Sequence, residues 1–257
     1  MSAIEYEKEL IDTARPYWAA ESEIPRRFAA KKPKREDYVS YLKSAVYKEL
    51  NPAIGYAPPK GYACNLHEEF ARLVEQFPRL HAGADRQAIY QRLHMMTEEF
   101  NHYRVLADVF EFALGRPITD ADIGQMPEDR KLNDLRRRYM ESGDPRLRAA
   151  MGLTEGGGSS TFRVLSELKG GEIERKLAAA MKVIYTDEKS HYEEAAHDAA
   201  ALVTSKDDLE RMKAAIREVS LQRVRMRYEQ FNAPMPWAEV EKIIADGQAR
   251  VAAERVA

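Results

Sequence analysis

One short pattern occurs twice and constrains this chain more than any other feature. Glu99 and His102 stand three residues apart, and Glu188 and His191 repeat that spacing later in the chain. Residues three apart lie on one face of an α-helix, so each pair would present a carboxylate and an imidazole side by side. The chain is therefore expected to contain two helices that each carry a pair of metal-binding groups.

A lone glutamate precedes each pair at a similar distance. Glu69 lies 30 residues before the first pair, and Glu155 lies 33 residues before the second. Four glutamates and two histidines are the ligand set of a two-metal centre inside a four-helix bundle. The sequence thus predicts six metal ligands: Glu69, Glu99, His102, Glu155, Glu188 and His191.

Helical periodicity predicts that these ligands point inward. Met181 and Ile184 precede Glu188 at steps of three or four residues, so the second pair continues an apolar stripe. The apolar stripe that contains Leu73 likewise favours Glu69 over Glu68 as the inward residue.

Carboxylates that point into a core need cations, because an unpaired buried charge costs several kcal/mol. Two divalent metal ions would balance four carboxylates. A competing interpretation pairs the glutamates with arginines, of which Arg72, Arg92 and Arg163 are available but lie off the stripes.

Composition excludes several classes of protein. The chain has 257 residues and a formal net charge of -2, so no global field would attract nucleic acid or a membrane surface. Its single cysteine, Cys64, excludes an internal disulfide and a rubredoxin-type iron site. The polar amino terminus and the lack of a long apolar run predict a cytoplasmic protein without a secretory signal or a membrane span.

The pattern of apolar residues and helix breakers predicts an all-α fold. We expect one domain over residues 1–257, with a ferritin-like four-helix bundle at about 61–203, an extension at 1–60 and extra helices at 204–257. A surface loop is expected at 21–36, where charges and prolines interrupt the pattern. Helices are expected at about 3–14, 36–50, 61–77, 84–114, 128–141, 145–168, 172–203, 207–231 and 236–256.

These motifs resemble the ferritin-like di-iron carboxylate superfamily over residues 61–203, and are most similar to the bacterial multicomponent monooxygenases. Another acid, Glu98 or Asp187, precedes each Glu-x-x-His motif. The resemblance implies that Glu98 accepts a hydrogen bond from His191, and Asp187 one from His102. Such a bond fixes the orientation of a metal-bound imidazole. The alternative is that both acids are merely exposed on their helices.

Three consecutive glycines follow Glu155, which is unusual because glycine destabilises a helix interior by about 1 kcal/mol relative to alanine. We expect a distorted turn or a substrate cavity at this point, with Thr154, Gly158 and Thr161 beside it. A break in the helix, or a close crossing by another helix, would also explain the glycines.

The resemblance implies a di-iron oxygenase or oxidase that uses dioxygen to oxidise a small organic substrate. Two iron ions are the expected cofactor, with a manganese–iron pair as a variant. Because the chain contains no flavin or nicotinamide fingerprint, we expect electrons from a separate reductase or ferredoxin.

Four further alternatives stay open at the level of sequence. One alternative function is a peroxide-reducing or iron-handling protein of rubrerythrin or bacterioferritin type. Another is a non-catalytic subunit that retains a vestigial site, which the complete ligand set disfavours. Nucleic acid is not an expected partner, although a tRNA substrate and a homodimeric assembly are left open.

Overall fold

The computed structural model describes residues 3–51 and 65–254. Eleven α-helices and two 3₁₀ turns form this part of the chain, which contains no β-strand. The helices are α1 (Ala3–Ala30), α2 (Arg35–Leu50), α3 (Leu66–Gln76), α4 (Arg86–Leu114), α5 (Pro127–Met140), α6 (Pro145–Gly152), α7 (Glu155–Ser166), α8 (Glu172–Glu188), α9 (His191–Ala201), α10 (Lys206–Gln230) and α11 (Trp237–Glu254). The all-α prediction is confirmed for these residues. Cys64 and the first residues, 61–64, of the helix expected at 61–77 lie outside them.

The first helix is longer than the sequence predicts. It continues through Pro16 and Pro25 to Ala30, so the loop expected at 21–36 is confined to residues 31–34. A proline inside a helix costs about 3 kcal/mol. Here the helix is held by its surroundings, because α1 packs against α7, α9, α10 and α11 and buries residues such as Ile24 and Phe28. Tertiary burial therefore outweighs the local preference.

Two of the expected long helices are each divided in two. The helix expected at 145–168 breaks at Leu153 and Thr154, between α6 and α7. The helix expected at 172–203 breaks at Lys189 and Ser190, between α8 and α9. Both breaks lie next to predicted ligands.

Four elements surround the predicted ligands. Helix α2 packs along α4, α4 contacts α8, and α8 packs along α7. Beyond the ligands these helices share one hydrophobic core, to which Tyr41 and Leu42 of α2, Leu106 of α4 and Met181 of α8 contribute. Residues 3–50, which we expected to be an extension outside the bundle, therefore form part of the core that positions the site.

None of the helices formed by residues 3–51 and 65–254 has the length and apolar character needed to cross a membrane.

Candidate metal centre

Two clusters of side chains meet between these helices. Each contains two glutamates and one histidine, and within each cluster one potential ligand atom per residue lies within 4.8 Å of the others. We call them the first cluster, Glu49, Glu99 and His102, and the second cluster, Glu155, Glu188 and His191. The structure thus brings together five of the six predicted ligands and adds Glu49.

Local sequence explains how each helix contributes. Glu99 and His102 lie on one face of α4, one turn before the buried Leu106. Glu49 lies in the last turn of α2, where it continues the buried face formed by Leu42 and Val46. That apolar stripe is a sequence signal that Glu49 points inward, but it does not by itself distinguish Glu49 from Glu69 as the ligand.

The second cluster is built on the two helix breaks. Glu188 is the last residue of α8, and His191 is the first residue of α9. Glu155 opens α7, directly after Thr154, whose hydroxyl donates to the Met151 carbonyl at 2.7 Å. The breaks therefore place two of these ligands, Glu155 and His191, at the first residue of a helix.

His102 is the most informative residue of the site. It is 1% exposed, and its Nε2 lies 3.1 Å from Asp187 Oδ2. Its other ring nitrogen, Nδ1, is buried without a hydrogen-bond partner. Buried polar atoms are normally satisfied, so an orphaned nitrogen that faces acidic side chains requires an explanation.

Three carboxylate oxygens surround that nitrogen. Nδ1 of His102 lies 3.7 Å from Glu49, 3.9 Å from Glu99 and 4.0 Å from Glu188. These separations are too long for hydrogen bonds. Ligands bind a transition-metal ion at about 2.0–2.2 Å each, so ligand atoms about 3–4 Å apart suit a single ion between them.

Glu188 connects the two clusters. One of its oxygens is the Oε1 that lies 4.0 Å from His102 Nδ1, and the other, Oε2, lies 3.1 Å from Nδ1 of His191. A carboxylate that reaches a histidine on each side has the placement of a bridging ligand. The arrangement therefore suits two adjacent cations better than two independent sites.

Without cations, the pKa values of three carboxylates of the site, Glu49, Glu99 and Glu155, are raised. Burial raises the pKa of Glu49 to about 7, and the negative charge of Glu188 adds to the effect. Burial, followed by repulsion from Glu49 and Glu188, raises the pKa of Glu99 well above its usual value. The pKa of Glu155 is also raised, first by burial among protein atoms and then by Glu188, although its side chain remains accessible from a cavity. Cations of higher charge than a proton would relieve this repulsion.

His191 responds in the opposite direction. Its hydrogen bond to Glu188 is the main cause that raises the pKa of His191 to about 9. A histidine must be neutral to ligate a metal, so metal binding at this cluster would release a proton.

Glu69, the remaining predicted ligand, lies outside both clusters. It is buried at 2% exposure, and its carboxylate lies 2.8 Å from Arg92 Nε and 3.9 Å from Arg72 Nη1. The competing interpretation of arginine pairing therefore describes this residue. A carboxylate that points into the protein can therefore either bind a metal or form a buried ion pair, and its direction alone does not distinguish the two.

The two acids that precede the ligand motifs differ in their contacts. Asp187 contacts His102, as the resemblance implied. In the described part of the chain, the Glu98 carboxylate lies 3.3 Å from Nδ1 of His94, rather than against His191 as the resemblance implied.

The three expected pocket residues also differ in whether they line the cavity. Gly158 lines the cavity beside the second cluster. Thr154 and Thr161 are fully buried and do not line it. The Thr161 hydroxyl donates to backbone carbonyls of Glu21 and Gly157, so this side chain fastens α7 to α1.

The glycines mainly permit a close helix crossing. A Cβ atom on Gly156 would lie 2.5 Å from the Trp18 ring, and one on Gly157 would overlap the Glu21 carboxylate. Both of these neighbours belong to α1. A Cβ atom on Gly158 would lie 2.9 Å from Arg223. The helix therefore breaks before Glu155 and is also crossed closely by α1, so two of the open explanations for the glycines apply together. Gly158, the third glycine, leaves room at the cavity.

A cavity of about 310 Å³ opens beside the two clusters. It contacts four of the six cluster residues, and its wall is otherwise formed by cationic, amide, glycine and apolar groups. The lining residues are Lys48, Glu49, Asn51, Glu99, Asn133, Arg136, Met140, Arg148, Met151, Gly152, Glu155, Gly158, Phe162, Glu188, Arg223 and Arg227.

Comparisons of the chain with protein-family models, with curated proteins and with solved structures give no match.

Proposed function

We propose that this protein is a dimetal oxygenase or oxidase that acts on a small organic substrate. The observation that carries the proposal is the buried, unpartnered Nδ1 of His102 facing the carboxylates of Glu49, Glu99 and Glu188. These groups fit a pair of divalent cations, since both the charge balance and the separations of the ligand atoms suit them.

The helical arrangement supports a ferritin-like bundle. Its four members would be α2, α4, α7 and the broken α8–α9 helix. Two of them supply a single glutamate, Glu49 or Glu155, and the other two supply a Glu-x-x-His pair. This distribution is typical of di-iron and di-manganese carboxylate proteins. The order along the chain then begins at α2 rather than at α3.

Oxygen-rich ligands with two imidazoles suit iron or manganese, and such ions would supply the oxidising chemistry with dioxygen. The residues of the chain would hold the ions and limit access to them. Asp187 would keep His102 in the orientation that presents Nδ1 to a metal. Electrons would come from a separate reductase or ferredoxin.

The cavity favours catalysis on an organic molecule over iron storage. It reaches Glu155 and Glu188, and part of its wall is apolar, formed by Met140, Met151 and Phe162. About 310 Å³ is near the lower end of the volumes of small-molecule sites. An organic substrate of modest size would therefore fit next to the ligands.

The test compares two glutamates that sequence and structure rank differently. Wild-type protein is loaded anaerobically with Fe(II), freed of excess metal, assayed for iron content and then exposed to dioxygen. We expect two iron ions per chain and rapid dioxygen consumption. Glu49→Gln should lose iron and dioxygen consumption, whereas Glu69→Gln should retain both if circular dichroism shows it to be folded.

Specific outcomes would contradict the proposal. Full iron content in Glu49→Gln would remove this residue from the site. A wild-type chain that binds neither iron nor manganese would refute the dimetal centre altogether. Fast peroxide turnover without an organic substrate, or many irons per chain, would instead favour the rubrerythrin or bacterioferritin alternative.

A further inference from the structure

We propose that the substrate of this cavity carries an anionic group, a carboxylate or a phosphate, that is bound by arginines of the cavity wall. The inference rests on the proposed dimetal function and specifies its substrate class.

The charges of the cavity wall carry the inference. Nine charged side chains line it, and four of these are the glutamates of the two clusters. The other five are all cations: Lys48, Arg136, Arg148, Arg223 and Arg227. Once two divalent ions neutralise the four carboxylates, the remaining charged groups of the wall are positive.

Carboxylates behind the wall hold three of these cations in place. Lys48 Nζ lies 2.7 Å from Asp129. Nε of Arg223 and Nε of Arg227 lie 3.3 Å and 3.4 Å from the two oxygens of the fully buried Glu21. These two acids compensate three cations only in part, so they fix the positions of the positive groups without cancelling their field.

Arg136 and Arg148 belong to a different wall. They lie on α5 and α6, outside the five helices that carry the cluster residues, and both are half-buried. Nη2 of Arg136 donates to the Thr154 hydroxyl at 3.3 Å, which places this guanidinium next to the start of α7 and Glu155. An arginine so placed can bind a substrate whose other end faces the metals.

The chemistry of the wall defines the ligand. The planar guanidinium group donates two parallel hydrogen bonds to a carboxylate or a phosphate, and charge-assisted bonds of this kind are strong. The amide groups of Asn51 and Asn133 add neutral polar partners, and Met140 and Phe162 provide apolar contacts. The fitting substrate has a small apolar body and one anionic end.

The cations have a competing explanation, which is that they serve only to offset the glutamates in the metal-free protein. The two explanations predict different anion binding by the metal-loaded protein, because its glutamates are already neutralised. Binding of an anion to that form is therefore the decisive measurement.

The experiment uses the full chain loaded with redox-inert Zn(II), whose content is measured first. Isothermal titration calorimetry then compares benzoate and phenyl phosphate with two neutral counterparts, benzamide and benzyl alcohol. We expect at least one anion to bind with a Kd at least about tenfold lower than that of the neutral molecules, as charge-assisted hydrogen bonding implies. The preferred anion identifies the carboxylate or the phosphate as the natural group.

Two variants test whether the arginines are responsible. Arg148→Gln and Arg136→Gln should each raise the Kd of the anion about tenfold while keeping the zinc content. Arg130→Gln is the matched control, because Arg130 is exposed on the same helix as Arg136. It should leave the Kd unchanged. A thermal melt of each variant confirms that it is folded, and the second arginine replaces the first if one variant unfolds.

The outcomes separate this inference from the proposed function. A protein that does not retain zinc at the clusters would contradict the dimetal site itself. Retained zinc with equal affinity for anions and neutral molecules would overturn only the substrate class. Anion binding that neither arginine variant weakens would also overturn it, because the anion would then be a direct metal ligand.

Discussion

The contact between Gly157 and Glu21 gives the most direct test of how the fold supports the site. Glu21 is fully buried on α1, where it pairs with Arg223 and Arg227. A methyl group on Gly157 would overlap its carboxylate. The Gly157→Ala variant must therefore displace either α7 or a buried charge that two arginines hold.

The magnitude follows from two opposing effects. Replacing glycine by alanine within a helix stabilises it by about 1 kcal/mol. Breaking a buried ion pair destabilises a protein by about 3–5 kcal/mol. We expect Gly157→Ala to lower the free energy of unfolding by about 2–4 kcal/mol, measured by urea denaturation of the metal-free protein. Gly124→Ala is the control, because its new Cβ would meet only the flexible end of Lys43, at 3.0 Å.

A double-mutant cycle would decide whether the overlap is the cause. In a Glu21→Ala background, or a Glu21→Asp background if the former does not fold, the carboxylate no longer occupies that space. Gly157→Ala should then be neutral or stabilising by up to about 1 kcal/mol. Equal destabilisation in both backgrounds, or a loss below about 1 kcal/mol in the wild-type background, would refute the reasoning.

Two other predictions concern the candidate metal centre. Asp187→Asn should weaken metal affinity by about 10- to 100-fold, because it removes the carboxylate that orients His102. A competition titration with a metal chelator measures this affinity. Unchanged affinity would contradict the proposed role of Asp187 in orienting His102. The pKa of Glu49 in the metal-free fold is about 7 against an ordinary value of 4.5, so this group favours folding at low pH and its contribution is lost as the pH rises between those values. Stability of the metal-free protein should therefore fall between about pH 5 and pH 8, and Glu49→Gln should flatten that fall in urea titrations. Parallel pH curves for the two proteins would argue against it.

The sequence by itself indicated five of the six residues that form the two clusters. The three-residue spacing within Glu99–His102 and Glu188–His191 is a property of a single helix, so it could be interpreted without knowing the partners of that helix. The position of Glu155, 33 residues before Glu188, marked it as a further ligand, and the structure also brings it to the second cluster.

Tertiary structure alone decided which helix completes the first cluster. Glu49 and Glu69 are both inward glutamates upstream of Glu99, and sequence separation favoured Glu69. The choice depends on which helix packs along α4 at the level of His102, and on the presence of Arg92 within 2.8 Å of Glu69. Neither the packing of a helix along α4 nor the position of Arg92 beside Glu69 can be predicted from the spacing of residues in the sequence.

The same distinction explains the glycines and the helix breaks. The sequence determined that Gly156 to Gly158 must serve some special purpose, because three glycines disfavour a helix. Only the fold showed that Trp18 and Glu21, more than 130 residues earlier in the chain, occupy the space that side chains would fill. Local preferences act over one or two helical turns, whereas close approach, charge pairing and cavity walls depend on residues that only folding brings together.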